Sequence, residues 1–239
     1  MSRRRAEDLI RSGRVTLDGE VAILGDRCDP LEARVTVDGV PLPVRPDLVY
    51  ILLNKPLGVI STSHDPQGRQ TVVELVDVGT RVYPVGRLDA NSEGLLILTN
   101  DGSLTNLVTH PSHQVTKTYM AMVEGNPGNT AMRRLVEGVE LDDGTARCLT
   151  ARIVDRHKSR SLVEIVMAEG RKREVRRMLE EVGHEVERLM RTAIGEVRDA
   201  SLVPGEWRNL TLDEVRSLYS AANAEWHDAP TLIAEEATE

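Results

Sequence analysis

The spacing of hydrophobic residues changes several times along the chain, and each change marks an element. Between residues 3 and 12, in RRRAEDLIRS, Ala6, Leu9 and Ile10 recur at helical spacing, and Gly13 can stop the helix. VTLDGEVAI then reads as two strands around Asp18-Gly19, a dipeptide suited to a tight turn, and RVTVDGVPL repeats the device at Asp38-Gly39. The proline-bearing PLPVRPD closes this unit and places a boundary near residue 47. Beyond it, VYILLN and EGLLILT are unbroken apolar runs that predict buried strands, the first cut by the turn KPLG. VTKTYMAMVEG and SLVEIVMAEG predict two more strands. Helices are predicted over DGSLTNLVTH, which stops before Pro111, and over NTAMRRLVEG. A third covers RKREVRRMLEEVG, with Val175, Met178, Leu179 and Val182 on one face and Gly183 as its stop. Thr211 and Glu214 have the spacing of a capping box for a last helix, DEVRSLYSAA. Strands and helices do not alternate regularly, so the expected fold class is α+β, a mostly antiparallel mixed sheet flanked by helices, rather than a doubly wound sheet.

Composition narrows the function. The 239 residues suit one large domain or a small domain beside a larger one. No run approaches the ~18 consecutive apolar residues of a membrane span, and the start, MSRRRAEDLI, lacks the apolar core of a signal peptide. Cys28 and Cys148 stand apart without metal spacing, as reduced thiols do, so a cytoplasmic location is expected. A net charge of −8 argues on its face against a nucleic-acid partner. The distribution says otherwise: residues 223–239 hold five acids and no Lys or Arg and are expected to be a mobile acidic tail, whereas residues 152–177 carry nine basic and four acidic side chains. With no Phe, four Tyr and two Trp, the chain is poorly equipped to stack successive bases of a single strand.

Candidate chemistry centres on GRLDANSEGLLILTNDG, residues 86–102, where Asp89 sits alone in a polar turn ahead of an apolar strand. Asp89-x-Asn91-x-Glu93-Gly94 imitates the start of a calcium loop, but the twelfth position, which needs a bidentate Glu, is Asn100. No His or Cys cluster suggests zinc and no G-x-x-x-x-G-K suggests a phosphate loop. Taken alone, Asp89 is a turn or capping residue and Tyr119 a strand residue filling the core. The basic helix is more informative. At about 100° per residue from Val175, Arg173 and Arg177 face solvent and Arg176 flanks the apolar face, able to aim its guanidinium into a cleft. Arg171, Lys172, Arg173 and Arg177 are placed as phosphate contacts. His64, His110, His113 and His184 lie near turns without a nucleophile partner.

Three stretches together, YPVGRLDANSEGLLILTNDG, KTYMAMVEG and EGRKREVRRMLEEVGHEVERLMRTAIG, resemble the RsuA/RluB type of ribosomal RNA pseudouridine synthase. LLNKPLGVISTSHDPQGRQTV and LVPGEWRNLT resemble further blocks of that family in the same order, so the resemblance spans nearly the whole chain. It implies a pseudouridine synthase catalytic domain over residues 47–222, needing neither cofactor nor metal. Asp89 would be the catalytic aspartate, Tyr119 would pack on the target base and help with the proton at carbon 5, and Arg176 would pair with Asp89 and keep it ionised. Arg87 would help hold the duplex open as the base leaves it. Residues 1–46 resemble an S4-type (alpha-L) RNA-binding domain lacking its usual first helix, with Arg3, Arg4, Arg5, Arg11 and Arg14 expected to meet RNA. KPLG carries Leu57 where many relatives have a basic residue, and Lys55 is assigned no role. GRKREVRRM is most similar to the RluB type, which acts on the large ribosomal subunit, and this implies 23S ribosomal RNA as the partner; a monomer is expected.

Overall fold

The computed structural model describes residues 3–28, 33–41 and 48–223. The expected boundary near residue 47 and the acidic tail from residue 224 onward lie outside these residues. Helix α1 (Arg3–Arg11) leads into β1 (Val15–Leu17), β2 (Glu20–Val21), β3 (Val35–Val37) and β4 (Val40–Pro41), paired in the order β2-β1-β3-β4. Both Asp-Gly turns have positive φ at both residues, 53° and 96° at Asp18 and Gly19, 54° and 78° at Asp38 and Gly39. This is what a two-residue turn matched to strand twist demands.

The larger unit runs β5 (Tyr50–Lys55), β6 (Tyr83–Pro84), β7 (Glu93–Thr99), α2 (Gly102–Thr109), β8 (Lys117–Glu124) and α3 (Asn129–Glu137). The hairpin β9 (Val139–Leu141) and β10 (Gly144–Ala146) comes next, then β11 (Thr150–His157), β12 (Arg160–Met167) and α4 (Glu174–Glu181). β13 (Val186–Ile194), β14 (Val197–Arg198), β15 (Trp207–Asn209) and α5 (Leu212–Asn223) complete it. One sheet runs β11-β12-β8-β13-β7-β5-β15, with β14 on β13 and β6 on β7. Its β13–β7 pair is parallel and its other pairs are antiparallel, so the α+β expectation holds.

β5 and β7 are apolar without alternation because both of their faces are covered. Leu52, Leu95 and Ile97 pack with α2 and α5 residues such as Leu104 and Leu218, while Ile51, Leu53, Leu96 and Leu98 pack with Val59, Val72, Val76 and Val82. Asp101 caps α2 through Ser103 and Leu104 amides, and its second carboxylate oxygen accepts from the hydroxyls of Tyr50 at 2.7 Å and Tyr219 at 2.6 Å. One buried acid therefore ties β5, α2 and α5 together. The capping box of α5 forms as expected, with Thr211 N donating to Glu214 Oε2 at 2.8 Å and Glu214 N to Thr211 Oγ1 at 3.2 Å.

Strands β6, β9, β10, β11, β14 and β15 are not among the expected elements, and two further differences bear on the site. α4 starts at Glu174 instead of residue 171, because Arg173 adopts a left-handed backbone (φ 52°) and Glu174 accepts the Arg171 amide at 3.0 Å. The Arg171–Arg173 segment is thus a loop. β13 is the second: VERLMRTAI mixes charged and apolar residues without clean alternation, and its pairing with β8 contains two register shifts. Only its position between β7 and β8 makes it the middle of the sheet. No helix among the described residues is long and apolar enough to cross a membrane.

Candidate active site

A cleft of about 450 Å³ opens where the loop before β7 meets β8, β13 and the loop entering α4. Asp89, Tyr119 and Arg87 line it together with Lys117, Arg191 and the Arg171–Glu174 segment. Folding therefore brings together residues that lie far apart in sequence.

The loop carrying Asp89 is held at successive carbonyls. Ser61 Oγ donates to the Leu88 carbonyl at 2.9 Å and accepts the Leu88 amide at 3.1 Å. The Ser92 amide donates to the Asp89 carbonyl at 3.0 Å, and the Gly58 amide to that of Ala90 at 2.7 Å. Arg176 Nη2 reaches the Asn91 carbonyl at 2.7 Å, and Lys55 Nζ the Ser92 carbonyl at 2.8 Å. By contrast, the Asp89 carboxylate makes no hydrogen bond or ion pair among the described residues. The backbone is fixed while the functional oxygens stay free for a ligand, which is how a preorganised group is built.

Arg176 departs from the expected pairing with Asp89. No ion pair joins them; Arg176 is 4% exposed and spends its guanidinium on the Val186 and Asn91 carbonyls, both at 2.7 Å. Asp89 acts on it only at longer electrostatic range, and burial, with Arg173 nearby, holds its pKa below the ordinary arginine value. The physical reason is that two carbonyls, Asn91 in the loop and Val186 at the start of β13, occupy the guanidinium.

Lys55, to which the sequence assigns no role, is completely buried beneath the same loop, donating to Ser92 and to the Pro56 carbonyl at 3.0 Å. Burial draws its pKa down to about 8 against the opposing pull of Asp89 and Glu93. The available signal is a lysine closing a largely apolar strand, a position that a solvated lysine does not need. Lys117 and Arg191 also escape sequence reasoning, since neither strand pattern marks a cleft.

Much of the basic segment is neutralised internally. Arg152 pairs with Glu164 at 2.6 Å and Arg160 with Glu187 at 2.9 Å. Arg177, expected to face solvent, is folded against Asp143 by two hydrogen bonds of 2.8 and 3.0 Å. Arg171 contacts Glu169, Glu174 and the Thr145 carbonyl. Lys172 is exposed and Arg173 half-buried, and neither side chain has a hydrogen-bond or ion-pair partner among the described residues; the same holds for the side chain of exposed Arg87. In the amino-terminal unit Arg14 is held by Asp38, Arg11 pairs with Glu7 and Asp8, and Arg4 and Arg5 are exposed. The side chain of Arg3 lies outside the described part.

The model of the RNA pseudouridylate synthase family matches residues 49–181, more than half of the chain. The chain belongs to this family. An uncharacterized RNA pseudouridine synthase of Aquifex aeolicus is 45% identical, covering 94% of this chain and 91% of the relative. The ribosomal large subunit pseudouridine synthase B of Bacillus subtilis is 39% identical over 93% and 92%. A crystal structure of a pseudouridylate synthase superposes with a TM-score of 0.65 at 28% identity, covering 91% of this chain and 94% of that one. The chain is thus an RNA pseudouridine synthase, an isomerase. Its family resemblance extends through the β13 strand and α5, beyond the matched segment, because these relatives align over nearly the full length.

Proposed function

We propose that this pseudouridine synthase isomerises a uridine of 23S ribosomal RNA, with Asp89 as its catalytic carboxylate. The observation that carries the reading is the Asp89 carboxylate itself, free of partners among the described residues in a cleft whose backbone is pinned on both sides of it. Ribosomal RNA as substrate is supported by the large-subunit relatives of Bacillus subtilis and, at 41% identity, Vibrio cholerae.

A uridine within a helix is out of reach, so it must leave the stack at a cost of a few kcal/mol. Contacts to phosphates and to RNA shape offset that cost. Lys172, Arg173 and Arg87 at the cleft, unpaired among the described residues, are placed to make them. The amino-terminal unit, with exposed Arg4 and Arg5 beside Arg11 and Arg14, serves as an S4-type RNA-binding domain. Tyr119, 9% exposed on the cleft floor, packs against the flipped base. Asp89 then meets the ribose–base unit; the N1–C1′ bond breaks, the uracil turns, C5 bonds to C1′, and as C5 loses its proton N1 takes one up. No atom is gained or lost, so one carboxylate and a shielded pocket suffice.

The test is pseudouridine formation on transcribed 23S ribosomal RNA by wild type and by Asp89→Asn. Wild type is expected to convert one or a few uridines, and the variant to bind equally and convert none. Equal conversion by both would remove Asp89 from the mechanism, and no conversion by wild type would remove the substrate.

A further inference from the structure

Arg191 has a charge that the fold leaves unanswered. It lies on β13 directly opposite Tyr119 of β8, so the two side chains stand on one face of the sheet at the cleft. On its other side β13 is in register with Gly94 of β7, which adds no side chain to the row. Arg191 is 4% exposed. Its Nε donates to the Leu95 carbonyl at 2.7 Å, whereas Nη2 is buried without a partner and no carboxylate among the described residues forms an ion pair with it. Lys117, two residues before Tyr119 and so on the same strand face, also lines the cleft. Its Nζ has one bond, to the Val108 carbonyl at 3.0 Å, and burial together with the Arg191 charge brings its pKa down to about 8. Of the neighbouring acids, Glu93 is committed to Arg188, and Glu174 and Glu169 to Arg171, while Asp89, in the same cleft, forms no ion pair with Arg191 or Lys117. A buried cation beside a half-buried one, neither with a carboxylate partner, is costly to the folded state unless an anion visits them.

We propose that Arg191, assisted by Lys117, receives the negative charge of the uracil while it is detached from its ribose. The inference rests on reading the cleft as the isomerase active site. When N1–C1′ breaks, its electron pair leaves with the base, giving a uracil monoanion whose charge is shared by N1 and the carbonyl oxygens. C1′ is left electron-poor, and Asp89 meets it either by forming an ester or by taking a proton from C2′. Both routes release the same anion. The base turns, C5 supplies the pair that bonds C1′ as the ester C1′–O bond breaks or C2′ regains its proton, and loss of the C5 proton with gain of one at N1 restores the ring. Asp89 and Arg191 thereby serve as opposite poles, one for the sugar and one for the base. The anion exists only between bond breaking and bond making, so Arg191 acts on the rate and not on the affinity.

The experiment compares wild type, Arg191→Met, Arg191→Lys and Lys117→Met on transcribed 23S ribosomal RNA. It measures single-turnover rate constants, RNA Kd at one salt concentration, and circular dichroism to establish folding. Arg191→Met is expected to lose about 100-fold in rate constant with Kd essentially unchanged. Arg191→Lys recovers part of the loss because it keeps the charge, and Lys117→Met loses less than Arg191→Met. The same transcripts carrying 4-thiouridine, whose base is the more stable anion, narrow the gap between wild type and each variant. That dependence on the leaving base would not follow from a structural role, and it can be read from Arg191→Lys and Lys117→Met if Arg191→Met does not fold. The proposal is overturned if active wild type and folded variants share one rate constant. It is equally overturned if the loss lies in Kd alone, as for a phosphate contact, or if uridine and 4-thiouridine show the same deficit. A wild type that makes no pseudouridine overturns the isomerase reading of this cleft for that RNA, a distinct result.

Discussion

Arg176 donates to the carbonyl oxygen of Asn91, two residues beyond Asp89, at 2.7 Å. With its second bond to Val186 it joins the Asp89 loop to the start of β13. Lysine can carry the charge but cannot span two carbonyls from a planar fork. Arg176→Lys should therefore cost about 1–3 kcal/mol in urea unfolding and slow single-turnover conversion at least about tenfold, with RNA Kd unchanged. Full activity in the lysine variant would mean that charge alone is needed at this position.

The pairing of the basic side chains predicts which ones read RNA phosphates. Alanine at Arg87, Lys172 or Arg173 should each lower the slope of log affinity against log salt by about 0.7–1. Alanine at Arg171 or Arg177 should leave that slope nearly unchanged and reduce thermal stability instead, since Arg171 holds Asp143 and Glu174 and Arg177 holds Asp143. RNA titrations over a range of KCl distinguish the two groups.

Glu174 gives stability a pH dependence. It is 3% exposed; Oε2 accepts the Arg171 amide, while Oε1 lies 3.4 Å from Arg171 Nε without a hydrogen bond. Burial raises its pKa from 4.5 to about 7. The folded state thus holds the proton more tightly than the unfolded state. The contribution of this group to stability is fully present below pH 4.5 and is lost as pH rises through 7. Urea unfolding from pH 4.5 to 8 should show Glu174→Gln losing this decline relative to wild type. Parallel curves would show that Glu174 does not titrate in this range.

Gly94 is where β7 and β13 approach too closely for a side chain. A Cβ there would lie 2.2 Å from the Arg191 carbonyl oxygen, and its φ of 107° is strained for any L-residue. Gly94→Ala is expected to destabilise by more than about 3 kcal/mol. A chemical denaturation midpoint equal to that of wild type would contradict this geometry.

The legible parts of the fold are those encoded locally. Continuous apolar runs identify β5 and β7, Asp-Gly pairs identify the two small turns, and Thr211 with Glu214 identifies the start of α5. Asp89 and Tyr119 stand out as candidates through blocks of residues contiguous in sequence, and the cleft brings them together. β13 is not legible, because its charged residues are partnered by neighbouring strands and by Glu93 and thus break the simple alternation.

By itself, the sequence determined the strand and turn pattern, the α+β class, the family and the candidate carboxylate, since each depends on short-range spacing or on contiguous motifs. Only the tertiary structure decided which charges are available. Arg177 meets Asp143, 34 residues away, and Arg176 meets Asn91, 85 residues away. Lys55 is sealed beneath the Asp89 loop, and Arg191 is buried without a counter-ion among the described residues. A charged side chain is neutralised, hidden or left open by whatever the fold brings within a few ångströms of it, and that distance is not written in the local spacing of residues.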